Sequence, residues 1–137
     1  MRLFRIISVI LVTGALSCAQ QDKQDITLPQ WAKVVWKGNA SADPVALKRW
    51  EDSEQCANIH KPAPELMVVS GPFYCGGVLT DGCSLLSKNQ IIIMKSMEDS
   101  YVTNHESLHI LYGTDDEKFV QAMVLKCGFL RIMPGDQ

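Results

Sequence analysis

The residues with the clearest chemical potential form one short run, His105-Glu106-Ser107-Leu108-His109. Residues four apart lie on the same face of an α-helix, so both imidazoles can point at one metal ion. The glutamate beside the first histidine can take a proton from a water molecule that the metal activates. Two of the three histidines in the chain belong to this run. The spacing therefore predicts a Zn²⁺ site on a helix, with His105 and His109 as ligands and Glu106 as general base.

A catalytic zinc site also needs a third protein ligand and one open coordination position. Gly113 follows the motif, and the acidic residues Asp115, Asp116 and Glu117 come soon after it. This run resembles the metzincins and their Asp-using relatives, in which a glycine turns the chain back and a His or Asp completes the ligand set. Counted from His109, Asp115 has that family's offset, whereas Asp116 has it when the count starts from the glycine. The resemblance implies Asp116 as third ligand, then Asp115, and Glu117 last.

The same acidic cluster has an alternative interpretation as the beginning of a helix. Acidic side chains near a helix N-terminus accept hydrogen bonds from free backbone N–H groups and interact favourably with the helix dipole. An apolar helical pattern follows the cluster and ends at Gly128; its members are Phe119, Val120, Met123, Val124 and Cys127. N-capping of a last helix is therefore the competing role for these carboxylates.

Several elements must hold the motif in place. Polar residues at 96–100 and Gly113 predict a motif helix over 101–112. The strongest strand precedes it at 90–94, where three consecutive Ile favour a buried pleated surface. Earlier in the chain, Asp43-Pro44 predicts a helix that reaches about Asn58, and apolar segments follow at 66–69 and 73–79.

The order of these elements predicts the fold class. The strands are grouped before the last two helices, which favours α+β over a doubly wound parallel sheet. We expect a small domain with a short sheet, an active-site helix and a C-terminal helix. At 137 residues the chain has the length of one domain.

The N-terminal segment is typical of an export signal. Arg2 and Arg5 precede an apolar run over 6–16, which small residues follow. Cleavage before Gln20 fits the small residues, but Ala15-Leu16-Ser17-Cys18 resembles a bacterial lipobox, and a lipid anchor on Cys18 is the favoured interpretation. The sequence thus predicts a signal at 1–19, a polar tether at 20–27 and a domain at 28–137. We expect a periplasmic or cell-envelope protein, lipid-anchored or secreted.

Cysteine usage agrees with export. Four cysteines remain in the mature chain: Cys56, Cys75, Cys83 and Cys127. In an oxidising compartment this even number predicts two disulfides, for which three pairings are possible. Glycines between Cys75 and Cys83 allow the chain to double back, so the pairing of 75 with 83 and of 56 with 127 is favoured. A cysteine zinc site is disfavoured because the chain contains no C-x-x-C pair.

Composition excludes one class of partner. The formal net charge is −2 and no basic run is present, so we expect no nucleic-acid binding.

The wider pattern over residues 50–129 resembles small exported bacterial proteins of the zincin type. The residues that carry this resemblance are Trp50, Cys56, the three Ile of 91–93, the motif itself, Phe119 and Cys127-Gly128.

This resemblance implies a metal-dependent hydrolase fold. Together with the His-Glu-x-x-His motif, it leads to the first hypothesis, an exported zinc metallopeptidase that acts on a peptide or protein substrate. The alternative is a non-catalytic, disulfide-stapled lipoprotein module that binds a partner and holds a structural metal or none. An open cleft beside the motif helix distinguishes the enzyme from the binding module.

Overall fold

The structure is a computed structural model, and it describes residues 25–130. The predicted export signal, including Cys18, lies outside the described residues, as do most of the predicted tether and residues 131–137. Within 25–130 the fold is α+β, as the order of elements predicts, with three α-helices and seven strands in two sheets. None of the helices in this range is long and apolar enough to cross a membrane.

The elements follow one another along the chain in a simple order. The strands are β1 (Ile26–Thr27), β2 (Val34–Asn39), β3 (Glu65–Val69), β4 (Phe73–Cys75), β5 (Val78–Thr80), β6 (Gly82–Leu85) and β7 (Gln90–Met94). The helices are α1 (Pro44–Ala57), α2 (Tyr101–Tyr112) and α3 (Glu117–Lys126). All seven strands precede the last two helices, so the predicted grouping is confirmed.

The main sheet has the strand order β2-β3-β7-β6. Strands β3 and β7 are parallel, while β2 with β3 and β6 with β7 are antiparallel. The consecutive isoleucines of β7 are buried on both faces: Ile91 and Ile93 join the core under the helices, and Ile92 joins a second core with Phe73. The predicted buried strand is therefore confirmed, and it lies at the centre of the domain.

Helix α2 carries the motif, and its ends follow from local sequence. The Ser100 side chain accepts a hydrogen bond from the backbone N–H of Val102 at 3.1 Å. Gly113 ends the helix in the left-handed region, with φ 63°, where glycine lacks the steric penalty of other residues. The predicted bounds of 101–112 are confirmed.

Helix α2 is buried on most of its circumference because α1, α3 and the strands β6 and β7 all pack against it. Its polar residue Asn104 is satisfied by α1: the amide nitrogen donates to the Arg49 carbonyl at 3.0 Å and to Ser53 Oγ at 3.1 Å. The Arg49 guanidinium donates back to Asn104 Oδ1 at 3.0 Å. These hydrogen bonds fix the rotation of α2 relative to α1.

Strand β6 is a feature that the sequence pattern did not reveal. Asp81-Gly82 has the composition of a tight turn, but Asp81 forms a bend and Gly82 begins the strand. A Cβ atom at Gly82 would lie 2.7 Å from Val102 Cγ1 and 3.0 Å from Ile93 Cδ1. The glycine is therefore needed for the close approach of β6 to α2. Residues 73–79 likewise form a hairpin, with Gly76-Gly77 as its turn between β4 and β5.

The four described cysteines form two disulfides, Cys56–Cys127 and Cys75–Cys83. This is the pairing that the sequence favours. The first bond joins the last turn of α1 to the end of α3 and spans 71 residues, whereas the second spans 8 residues and joins the β4–β5 hairpin to β6. The first bond therefore links the two helices that pack against α2, and the second links the hairpin to the strand that packs against α2.

Candidate metal site

Both motif histidines turn the same ring nitrogen towards one carboxylate. His105 Nε2 lies 3.0 Å from Glu117 Oε2, and His109 Nε2 lies 2.8 Å from Glu117 Oε1. The two Nε2 atoms are 3.2 Å apart. One ligand atom from each of the three residues lies within 4.8 Å of the other two, so the group could hold a metal ion.

The opposite nitrogens of the two rings have acceptor partners. His109 Nδ1 lies 2.6 Å from the backbone carbonyl of Thr114, and His105 Nδ1 lies 3.1 Å from Gln121 Oε1. An oxygen acceptor at Nδ1 stabilises the tautomer that carries its proton there, which leaves the Nε2 lone pair available. Both imidazoles are thus prepared to donate an electron pair at Nε2.

This arrangement fits a cation on chemical grounds. With the proton of each ring on Nδ1, two Nε2 lone pairs and a carboxylate converge on one point, and a cation among them would remove their mutual repulsion. Two His and one Glu are a donor set that zinc enzymes use, with a further position left for water or substrate. The Glu117 side chain is 72% exposed, whereas that of His109 is 1% exposed, so the group is buried on one side and open on the other.

Glu106 lies beside this group on the same helix and is buried. Burial raises the pKa of its carboxyl to about 8, and the negative charges of Glu117 and Asp81 act in the same direction. A hydrogen bond from the Ser84 hydroxyl on β6 opposes the rise in pKa. The Ser84 hydroxyl therefore orients the Glu106 carboxyl between α2 and β6.

The group of His105, His109 and Glu117 opens into a cleft of about 680 Å³. Helix α2 contributes His105, Glu106 and His109 to its lining, and β6 contributes Gly82 and Ser84. The opposite wall is formed by the β4–β5 hairpin and its disulfide. The cleft has room for a substrate segment directly against the three motif residues.

The structure brings together four of the sequence-predicted residues, among them Glu117, the last of the three candidates for the third ligand, and it gives Asp116 another role. His105, Glu106 and His109 lie together as the helical spacing predicts. Asp116 is the N-cap of α3, since its Oδ1 accepts from the Phe119 N–H at 3.1 Å. Asp115 lines the cleft. The group within ligand distance includes Glu117 and neither of these aspartates, among the described residues. The ligand role of Asp116 and Asp115 stays a prediction.

Three contributors were missed at the sequence level: Ser84, Thr114 and Gln121. A backbone carbonyl such as that of Thr114 leaves no signal in the residue type. Ser84 lies in a strand of four residues that has no clear alternation. Gln121 does leave a signal, because it follows Glu117 by four residues and so shares its helix face.

Comparisons with protein-family models, with curated proteins and with solved structures find no match to the chain. Evidence for a function therefore comes from the chain itself, in which His105, His109 and Glu117 converge beside the buried Glu106.

Proposed function

We propose that the protein is an exported zinc metallopeptidase of the zincin type, which hydrolyses peptide bonds with Glu106 as general base. One observation carries the proposal: three metal-ligand side chains converge at the cleft, next to a buried carboxyl on the same helix. An open cleft is the feature that separates an enzyme from a binding module, and about 680 Å³ is available here.

In this proposal His105, His109 and Glu117 hold the zinc ion. When bound, zinc supplies Lewis-acid activation of a water molecule and of a substrate carbonyl. The protein side chains set where this happens, because the His109 ring is fixed by Thr114 and buried, while Glu117 stands at the exposed edge. The exposed edge faces the cleft, so substrate can approach from that side.

Glu106 moves the protons of the reaction. The charge of a cation held beside Glu106 would lower the pKa of about 8 that burial gives this carboxyl, so that the carboxylate form is available as base. It accepts a proton from the attacking water as the water oxygen bonds to the carbonyl carbon, and it delivers that proton to the amine nitrogen as the C–N bond breaks. The Ser84 hydroxyl, which donates to the carboxylate, keeps it aimed at the cleft. Packing of β6 against α2, which Gly82 permits, places this serine.

The sheet edge favours an extended peptide as substrate. Strand β6 ends the main sheet, and no other strand in the described range pairs with its outer side. Gly82 and Ser84 of this strand line the cleft. The N–H and the carbonyl of Gly82 already bond to the Thr80 hydroxyl, so a peptide that adds to this edge by main-chain hydrogen bonds pairs at Ser84 and presents a peptide bond to the motif helix.

Export is part of the proposal. Two disulfides in a small domain are compatible with an oxidising compartment. We propose that Cys18 becomes the lipid-bearing first residue and anchors the domain to a membrane. Mass spectrometry of the mature protein tests this, because lipidation adds the mass of a diacylglycerol at Cys18, whereas cleavage before Gln20 adds none.

The decisive experiment combines zinc content with hydrolysis. Purified mature protein is assayed for zinc by elemental analysis and for cleavage of a quenched-fluorescent peptide library. We expect one zinc per chain, and we expect Glu106→Gln to keep the zinc while hydrolysis falls by roughly 10²- to 10⁴-fold. Glu98→Gln is the matched control, since Glu98 is also a buried glutamate but lies outside the cleft.

The outcomes separate the two candidate functions. Absence of zinc from the mature protein rules out the peptidase. Zinc without cleavage of any peptide supports the alternative, a lipoprotein binding module with a structural metal. Full hydrolysis by the Glu106→Gln variant removes Glu106 from the mechanism.

A further inference from the structure

Helix α3 contacts His105 at two points on one face. Glu117 and Gln121 are four residues apart, so their side chains lie one turn from each other on the same side of the helix. Glu117 approaches His105 Nε2 at 3.0 Å, and Gln121 Oε1 lies 3.1 Å from His105 Nδ1. Both nitrogens of the imidazole therefore face side chains of a single helix.

We infer that Gln121 is a positioning residue for the metal site, which fixes the tautomer and the ring orientation of His105. This inference rests on the proposed metal site. An acceptor oxygen at Nδ1 keeps the proton on that nitrogen and the lone pair on Nε2, where the ion would bind. Without an acceptor, His105 can place its proton on Nε2, and zinc binding must then first return that proton to Nδ1, which lowers the affinity.

The two histidines differ in how this is achieved. The Nδ1 atom of His109 lies 2.6 Å from the backbone carbonyl oxygen of Thr114, the residue after the helix end at Gly113. The Nδ1 of His105 depends on a side chain. Gln121 is the partner that a substitution can remove, so the positioning role can be tested at His105 alone.

The supports of α3 explain why Gln121 can act in this way. Asp116 caps the N-terminus of the helix, and the disulfide from Cys56 holds its end at Cys127. Val120 and Val124 are fully buried in the core next to α2. These contacts fix the helix rotation, so the Gln121 amide meets the ring without a large entropic cost.

The test compares a variant that removes the acceptor with one that keeps it. Gln121→Leu keeps similar volume without an acceptor, whereas Gln121→Glu retains an oxygen at the same reach. Gln55→Leu, on the exposed side of α1, controls for the effect of adding a leucine to a helix. Zinc affinity of the metal-free proteins is measured by competition with a chelator, and the ring nitrogens of His105 are followed by ¹⁵N NMR.

We expect Gln121→Leu to weaken zinc binding by roughly 10- to 100-fold and to shift the His105 ring towards the Nε2–H tautomer. Gln121→Glu and Gln55→Leu should keep zinc affinity within a few-fold of the wild type. Unchanged affinity and tautomer in Gln121→Leu would overturn the inference, as would equal losses in the Leu and Glu variants, which would indicate a packing role. The NMR readout needs no metal, so it tests Gln121 even if the wild type proves to bind no zinc.

Discussion

The two walls of the cleft are built in opposite ways. The helical wall, formed by α2 and α3, presents charged and hydrogen-bonding groups that are mostly buried and mutually bonded. The hairpin wall, formed by β4 and β5, presents one exposed apolar side chain to the cleft, Val78, which is 65% exposed. The proposed catalytic groups therefore lie where packing is dense and positions are fixed. On the other wall, the exposed Val78 offers an apolar contact to the proposed substrate.

Each wall also has its own disulfide, which makes the comparison testable. Cys56–Cys127 ties the helical wall and Cys75–Cys83 ties the hairpin wall. We expect replacing both cysteines of the first bond by serine to cost about 4 kcal/mol of unfolding free energy, and replacing both of the second about 2.5 kcal/mol, because a longer loop constrains the unfolded chain more. Chemical denaturation of the two double variants measures this difference.

The same two variants should differ in metal binding. Loss of Cys56–Cys127 loosens α3, which carries Glu117 and Gln121, and should weaken zinc binding. Loss of Cys75–Cys83 should leave zinc affinity unchanged, since the hairpin contributes no ligand to the group. Equal losses of zinc affinity in both double variants would contradict the proposal that only the helical wall holds the metal.

The hairpin wall is probed by its most exposed apolar residue. We expect Val78→Ser to raise the KM for peptides with apolar side chains by about 3- to 10-fold, because an apolar contact worth roughly 1 kcal/mol is lost, with little change in kcat or zinc affinity. Val34→Ser is the control, since Val34 is also exposed but does not line the cleft. A drop in zinc content of the Val78 variant would disprove the separation of roles.

The smallest expected effect is a change in the pH dependence of stability, and it concerns Glu98, a buried glutamate just before α2 that does not line the cleft. Burial raises the pKa of Glu98 above its usual 4.5, a hydrogen bond with the Asp43 carboxyl adds to the rise, and Lys95 opposes it. The folded state thus binds more protons than the unfolded state, so the unfolding free energy falls as pH rises from about 4.5 through the raised pKa. Glu98→Gln should lessen this fall without changing zinc affinity. Denaturation at several pH values checks it, and identical pH profiles would count against it.

Local signals in the sequence were sufficient for much of the fold. The caps Asp43, Ser100 and Gly113 act within a few residues of themselves, and the helices they bound appear where the sequence predicts them. The three consecutive Ile of β7 needed no tertiary information either. Strand β6 was missed because its role depends on α2, which lies against Gly82 and is distant in sequence.

The carboxylate that meets the two histidines could not be chosen from the sequence. Counting offsets from His109 or Gly113 assumes that the turn alone aims the next side chains, which favours Asp115 and Asp116. In the structure α3 begins at Glu117, and the packing of Val120 and Val124 sets its rotation. That rotation, which no local pattern encodes, turns Glu117 towards the histidines and leaves Asp116 as the cap.

The most direct test of the account is the zinc affinity of two neighbouring variants, Glu117→Gln and Asp116→Asn, measured against the wild type by chelator competition. If His105, His109 and Glu117 form the metal centre, Glu117→Gln loses tight zinc binding. Asp116→Asn then keeps it, because asparagine caps a helix about as well as aspartate. Wild-type affinity in Glu117→Gln, or loss of zinc in Asp116→Asn, would contradict the account.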